Sequence, residues 1–150
     1  MKPISEVTNE DCMDMMKRYS DKFFDLAVVD PPYGLDKKSV NGSGFLKDRC
    51  LNRGNMKWDI APRKEYFDEL FRISENQIIW GGNYFDLPPC RCFVCWDKKQ
   101  VWENFSQAEF AWTSFNKPAK LFSISNRGAN CDKGKFHPTQ KPISLYSFIL

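Results

Sequence analysis

A chain of 150 residues has room for one domain or part of one, since single cores usually run to about 100–200 residues. Its 22 Lys and Arg against 19 Asp and Glu leave a formal charge of +3, too small a bias to identify a nucleic-acid binder by charge alone. Thirteen Phe, five Trp and five Tyr supply ample core material, yet no apolar run reaches the roughly 18 residues of a membrane span. Residues 1–6 lack the apolar stretch of a secretory signal, so the expectation is an intracellular, cytoplasmic protein.

In chain order, residues 11–19 are expected to form a short helix, with Met13, Met16 and Tyr19 or Met15 on one face. The run Leu26-Ala27-Val28-Val29 reads as a buried strand over 26–30, stopped by Pro31 and Pro32. Prolines lack N–H donors and fix φ, so the strand must end in a stiff loop. Residues 35–62 carry Gly42, Gly44 and Gly54 with little periodicity, and a long stretch of that kind reads as a mobile loop. Within it Lys37, Lys38, Lys47, Arg49, Arg53 and Lys57 outnumber the acids, which points to phosphate contact; the plainer reading is a solvated loop.

Tyr66, Phe67, Leu70, Phe71 and Ile73 recur at three- and four-residue spacing and predict an amphipathic helix over 62–74. A strand over 77–80 follows and ends at Gly81-Gly82. A helix between two strands is the crossover unit of a parallel sheet. Further strands are expected over 93–96 and 121–125, with 106–112 a strand or a short helix. Residues 139–150 read as a helix with Thr139 as N-cap, Pro142 in the first turn and Ile143, Tyr146, Phe148 and Ile149 on its apolar side.

The chemistry concentrates at Asp30-Pro31-Pro32-Tyr33-Gly34, which places a carboxylate at a strand's carboxyl edge with an aromatic ring three residues on. In open α/β sheets that edge is where ligands bind. Asp30 and the Pro31 carbonyl can each accept one hydrogen of a planar exocyclic amine, stabilising positive charge that grows on its nitrogen during methyl transfer. Tyr33 offers a face on which an extruded base stacks. The plainer reading is that Asp30 caps a turn, the prolines end a strand and Tyr33 fills core.

Asp30-Pro31-Pro32-Tyr33 resembles the catalytic motif of the amino-group DNA methyltransferases that act on adenine N6 or cytosine N4. Three further segments are similar to that family in the same order. They are Asn9-Glu10-Asp11-Cys12, Gln77-Ile78-Ile79-Trp80-Gly81-Gly82-Asn83-Tyr84-Phe85 and Ala108-Glu109-Phe110-Ala111-Trp112-Thr113-Ser114. His137-Pro138-Thr139-Gln140-Lys141-Pro142 resembles the segment leading into the helix that borders the methyl-donor pocket.

The resemblance implies a partial Rossmann-like methyltransferase fold of α/β class, mainly a parallel sheet with flanking helices. It covers residues 1–150 as a single, incomplete methylase domain. It implies S-adenosylmethionine as cofactor, with Asp11, Asp30, His137, Thr139 and Lys141 around it, and Asp30, Pro31, Pro32 and Tyr33 as the catalytic group. It implies double-stranded DNA as partner, adenine as target base and a role in restriction-modification. A silent remnant, or methylation of RNA or a protein amide, are the alternatives.

The order is the permuted one, in which a cofactor-binding glycine loop follows the last helix, so the donor-binding half is expected to be missing. Asn41-Gly42-Ser43-Gly44 has no strand before it, and Trp80-Gly81-Gly82-Asn83 corresponds to another segment. Without that half the Asp30 strand is expected at a sheet edge, open to a homodimer contact or a covering segment.

Of six cysteines, Cys90, Cys92 and Cys95 cluster while Cys12, Cys50 and Cys131 are dispersed. Zinc sites use four ligands in paired spacing, whereas Cys92 and Cys95 lie in Arg91-Cys92-Phe93-Val94-Cys95-Trp96, which reads as a buried strand, so no metal is expected. His137, the single histidine, has no second ligand beside it in sequence and is expected to bind rather than catalyse.

Overall fold

The computed structural model describes residues 5–35, 58–101, 106–125 and 140–150. Its elements in chain order are α1 (Cys12–Met16), β1 (Phe24–Val29), α2 (Lys64–Ile73) and β2 (Ser74–Trp80), then a 3-10 turn (Gly82–Tyr84). β3 (Phe93–Asp97), β4 (Ala108–Thr113), β5 (Lys120–Ser123) and α3 (Ile143–Ile149) follow.

The five strands form one sheet in the order β1-β2-β4-β3-β5. β1 pairs with β2 in parallel, with Val28 beside Ile78, and α2 makes the connection between them. β4 then enters antiparallel between β2 and β3, with Trp80 beside Ala111 and Trp96 beside Glu109. β5 runs parallel to β3 at the far edge.

The expected mainly parallel, Rossmann-like sheet is therefore corrected: the described sheet is mixed, with two parallel and two antiparallel pairs and few helices. The physical reason is the short path from β3 to β4. Only ten residues separate Asp97 from Ala108, enough for a return beside the same strand but short of the dozen or more a parallel crossover needs. Four of the five strands still point the same way, because β4 reverses direction twice in the pairing. Among the described residues β1 stands at an edge of the sheet.

Helices cover both faces. Successive side chains along a strand point to opposite sides. Ile79 and Trp112 thus join Met16, Phe67, Leu70 and Ile73 of α1 and α2 in one cluster. Ile78, Trp80, Val94, Trp96 and Ala111 pack with Leu145 of α3 on the other face. Arg72 ties the first layer together, donating to the Tyr19 and Met16 carbonyls and pairing with Asp21 and Glu69.

Two helix starts differ from expectation. α1 is shorter than the predicted helix and begins at its cap, Asp11, whose carboxylate accepts from the Met13 N–H at 2.8 Å. α3 begins at Ile143, with extended Pro142 (ψ 143°) in the N-cap position, because a proline cannot donate into the turn before it. The predicted cap Thr139 lies outside the described residues. The ambiguous stretch 106–112 is strand β4, decided by its place between two partners. No helix among the described residues is long and apolar enough to cross a membrane.

Candidate ligand-binding site at the carboxyl edge of the sheet

Because β1, β2 and β3 run in one direction and β4 in the other, one end of the sheet collects the residues after three strands and the start of the fourth. Asp30 follows β1, Gly81 follows β2, Lys98 follows β3 and Glu109 opens β4. Lys141 enters the same place from the segment before α3. These side chains form an alternating row of charge. Lys98 Nζ lies 2.5 Å from Glu109 Oε1, and Lys141 Nζ lies 3.3 Å from Glu109 Oε2 and 2.5 Å from Asp30 Oδ2. Tyr33 closes the row, its hydroxyl donating to Asp30 Oδ1 at 2.9 Å and accepting from Lys141 at 3.3 Å.

The row is nearly dry at its centre. The Lys141 side chain is 2% exposed, against 30% for Asp30. A lone ammonium there would be costly, and two carboxylates offset that cost. The rings of Trp80 and Tyr33 add further stabilisation, with Lys141 Nζ 5.1 Å and 5.8 Å from their centroids. Burial pushes the Glu109 carboxyl up, but Lys141 and Lys98 together outweigh that and hold it below the usual range. The Tyr33 phenol is driven well up by burial and by the negative charge of Asp30 and Glu109.

Tyr33 is placed by glycine. Its ring lies against Gly81, whose φ of +70° suits a residue without Cβ; a Cβ there would run into the ring. One face of the ring stacks on Tyr84, centroids 5.0 Å apart and planes 23° from parallel. Gly34, at φ +67°, turns the chain away and donates its N–H to Asp59 at 3.0 Å.

Of the residues singled out from the sequence, Asp30, Tyr33 and Lys141 come together, with Pro31 buried behind them. Pro32 is half-buried in the same loop. Asp11 is instead the cap of α1, its carboxylate accepting from the Met13 N–H. His137, Thr139, Lys37, Lys38, Lys47, Arg49 and Arg53 lie outside the described residues. No cluster of three metal-ligating side chains occurs among the described residues. Glu109 and Lys98 were not read as site residues. The signal available was a single acid, Glu109, in the apolar and aromatic strand Ala108-Glu109-Phe110-Ala111-Trp112.

A shallow cleft of about 290 Å³, lined by Cys90, Arg91, Trp112 and Ser114 among others, lies at the amino end of β2 and β3. It contains none of these residues.

No family model matches the chain. Among curated proteins it is similar to a β-1,4-mannooligosaccharide phosphorylase of Ruminococcus albus, 27% identical over 149 aligned positions. The alignment covers 75% of this chain and 44% of that protein, so the chain spans under half the length of the relative it matches.

This match overturns the expected activity. The relative is a mannooligosaccharide phosphorylase, not an S-adenosylmethionine-dependent DNA methyltransferase, and the RNA, protein and silent-remnant alternatives and the place in restriction-modification fall with it. The site offers a physical reason why the motif misled. Both Asp30 oxygens already accept hydrogen bonds, from Lys141 and from Tyr33, and a face of Tyr33 is taken by Tyr84. The string Asp-Pro-Pro-Tyr thus builds a satisfied polar corner, which is compatible with more than one chemistry.

Proposed function

We propose that the carboxyl edge of the sheet binds a small amine-bearing ligand through Asp30, with S-adenosylmethionine as the candidate. The observation that carries this reading is the gradient of exposure along the charged row. Lys141 is sealed at 2%, while Asp30 at its end keeps 30%, and Tyr84, stacked on the Tyr33 ring whose hydroxyl holds Asp30, is 45% exposed. A carboxylate held in place by a buried cation, next to an open aromatic ring, suits a ligand that joins a positive or amine group to a planar one. Calorimetry with S-adenosylmethionine tests it. Saturable binding that weakens at least tenfold in Asp30→Ala is expected, and no heat with the wild-type chain would sink the proposal.

The phosphorylase match supports a second reading, in which the same edge holds a mannooligosaccharide. Sugars stack on exposed rings and donate hydroxyls to carboxylates, and Tyr84 with Asp30 presents both. Titration with β-1,4-mannooligosaccharide, with and without inorganic phosphate, separates the two ligands directly.

Double-stranded DNA, and a second copy of the chain through the edge of β1, are the proposed macromolecular partners. The excess of Lys and Arg over residues 35–62 supports the first. The edge position of β1 among the described strands supports the second. A gel shift that weakens steeply with salt, and a light-scattering mass of twice 17.6 kDa, are the expected results.

A further inference from the structure

Glu109 Oε2 is buried and has no hydrogen bond among the described residues, although Lys141 Nζ stands only 3.3 Å away at ion-pair distance. A buried carboxylate oxygen without a donor is costly, so its place beside an ammonium calls for an explanation. Lys141 has three N–H donors; one goes to Asp30 Oδ2 at 2.5 Å and one to the Tyr33 hydroxyl at 3.3 Å. The ammonium therefore sits between two carboxylates and makes its close hydrogen bond with the more exposed of them.

We infer that Lys141 is an exchangeable counter-ion. It occupies Asp30 when the site is empty and passes to Glu109 Oε2 when a ligand amine takes Asp30. Lys141 is thus a positioning residue for Asp30, and Glu109 is the acceptor that makes its withdrawal cheap. The inference rests on the proposed binding of an amine-bearing ligand at Asp30, and it adds how the occupied carboxylate is freed.

The geometry supports each step. After the exchange Glu109 holds Lys98 on Oε1 and Lys141 on Oε2 while the incoming ammonium takes Asp30, so the row gains one positive charge, which a carboxylate carried by the ligand offsets. The path is short, since Nζ already lies within 3.3 Å of its second acceptor. The rings of Trp80 and Tyr33 flank the ammonium and can follow it with cation–π attraction. Lys98 holds Glu109 Oε1 at 2.5 Å, so the receiving carboxylate is fixed in orientation before the lysine arrives. A ligand that is neutral and lacks an amine has nothing to displace Lys141 with, so the exchange selects for amine or cationic ligands.

The test needs no ligand. In Asp30→Ala the first acceptor is gone, and a crystal structure should show Lys141 Nζ hydrogen-bonded to Glu109 Oε2. In solution a cross-hydrogen-bond coupling between the Lys141 15Nζ and the Glu109 carboxyl carbon should appear in the variant and be absent from wild type. Asp30→Leu, which keeps the branched shape of the side chain and accepts no hydrogen bond, serves the same comparison if the alanine variant does not fold.

Lys141 remaining at position 30, or turning to solvent, overturns the exchange. A purely structural lysine would give the same coupling pattern in variant and wild type, which also overturns it. Wild-type titration with S-adenosylmethionine is run separately. Its failure rejects that ligand, whereas the variant structures alone judge the movement of the lysine.

Discussion

At the scale of single residues, the centre of this protein is one lysine with two carboxylates. Lys141 is buried to 2% and has Asp30 on one side and Glu109 on the other. Truncating it leaves Asp30 without its cation and Glu109 with Lys98 alone, in a poorly solvated place. Lys141→Met is therefore expected to destabilise the chain toward the lower end of the roughly 3–5 kcal/mol typical of a broken buried pair, because Asp30 keeps partial access to water. Urea unfolding of the two proteins measures it, and a change below about 1 kcal/mol would refute the reading. Asp11 offers the contrasting case. Its carboxylate caps α1, so Asp11→Ala should cost about 0.5–2 kcal/mol while leaving affinity for S-adenosylmethionine unchanged. A loss of affinity without loss of stability would return Asp11 to the ligand site.

At the scale of elements, the helices were the more legible part and the sheet the less. The spacing of Tyr66, Phe67, Leu70 and Ile73 identifies α2 because burial on a helix follows its 3.6-residue period, and Phe67, Leu70 and Ile73 are the residues it buries. The strands at 77–80 and 93–96 were legible for a similar reason, as apolar runs bounded by turn residues. The pairing of those strands was not. Nothing local in Ala108-Glu109-Phe110-Ala111-Trp112-Thr113 says that it lies between β2 and β3, since neighbours in a sheet are chosen by the path of the whole chain.

α3 shows how a short element depends on that sheet. Seven residues are too few to hold a helix in water, so its stability comes from packing. Leu145 is fully buried beside Trp80, Trp96 and Ala111. Leu145→Ala should cost about 2–5 kcal/mol by thermal or urea unfolding, with near-native behaviour as the contrary result. The same variant should disturb the site, because Lys141 stands just before this helix.

At the scale of the whole molecule, buried ionisable groups make stability depend on pH at both ends. Burial pushes the Tyr66 phenol from 10.0 up to about 12. Its folded value lies above its unfolded one, so its contribution is complete below pH 10 and is lost as pH rises from 10 to about 12. Tyr66→Phe should flatten that alkaline decline, as read by unfolding midpoints across the range. Glu109 acts with the opposite sign. Its carboxyl is held below 4.5 in the fold, so its contribution is present above 4.5 and is lost as pH falls below that value. Glu109→Gln should reduce the acid sensitivity. An unchanged profile in either variant would place the titrating group elsewhere.

Local pattern was enough to locate the helices, most strand positions and the corner at Asp30-Pro31-Pro32-Tyr33, because periodicity and proline act through neighbouring residues. Lys141 came into consideration only through the resemblance of His137-Pro138-Thr139-Gln140-Lys141-Pro142 to a family motif, and local pattern ends there. It did not reveal that Lys141 meets Asp30 across 111 positions of sequence, nor that Glu109 and Lys98 complete the row. Those contacts exist because β4 turns back between β2 and β3, bringing its first residues to the end where the other strands finish. A motif describes the groups present at one point of the chain. Which of them are free to act depends on the partners folding brings from elsewhere, and here a lysine already holds the carboxylate that the motif offers.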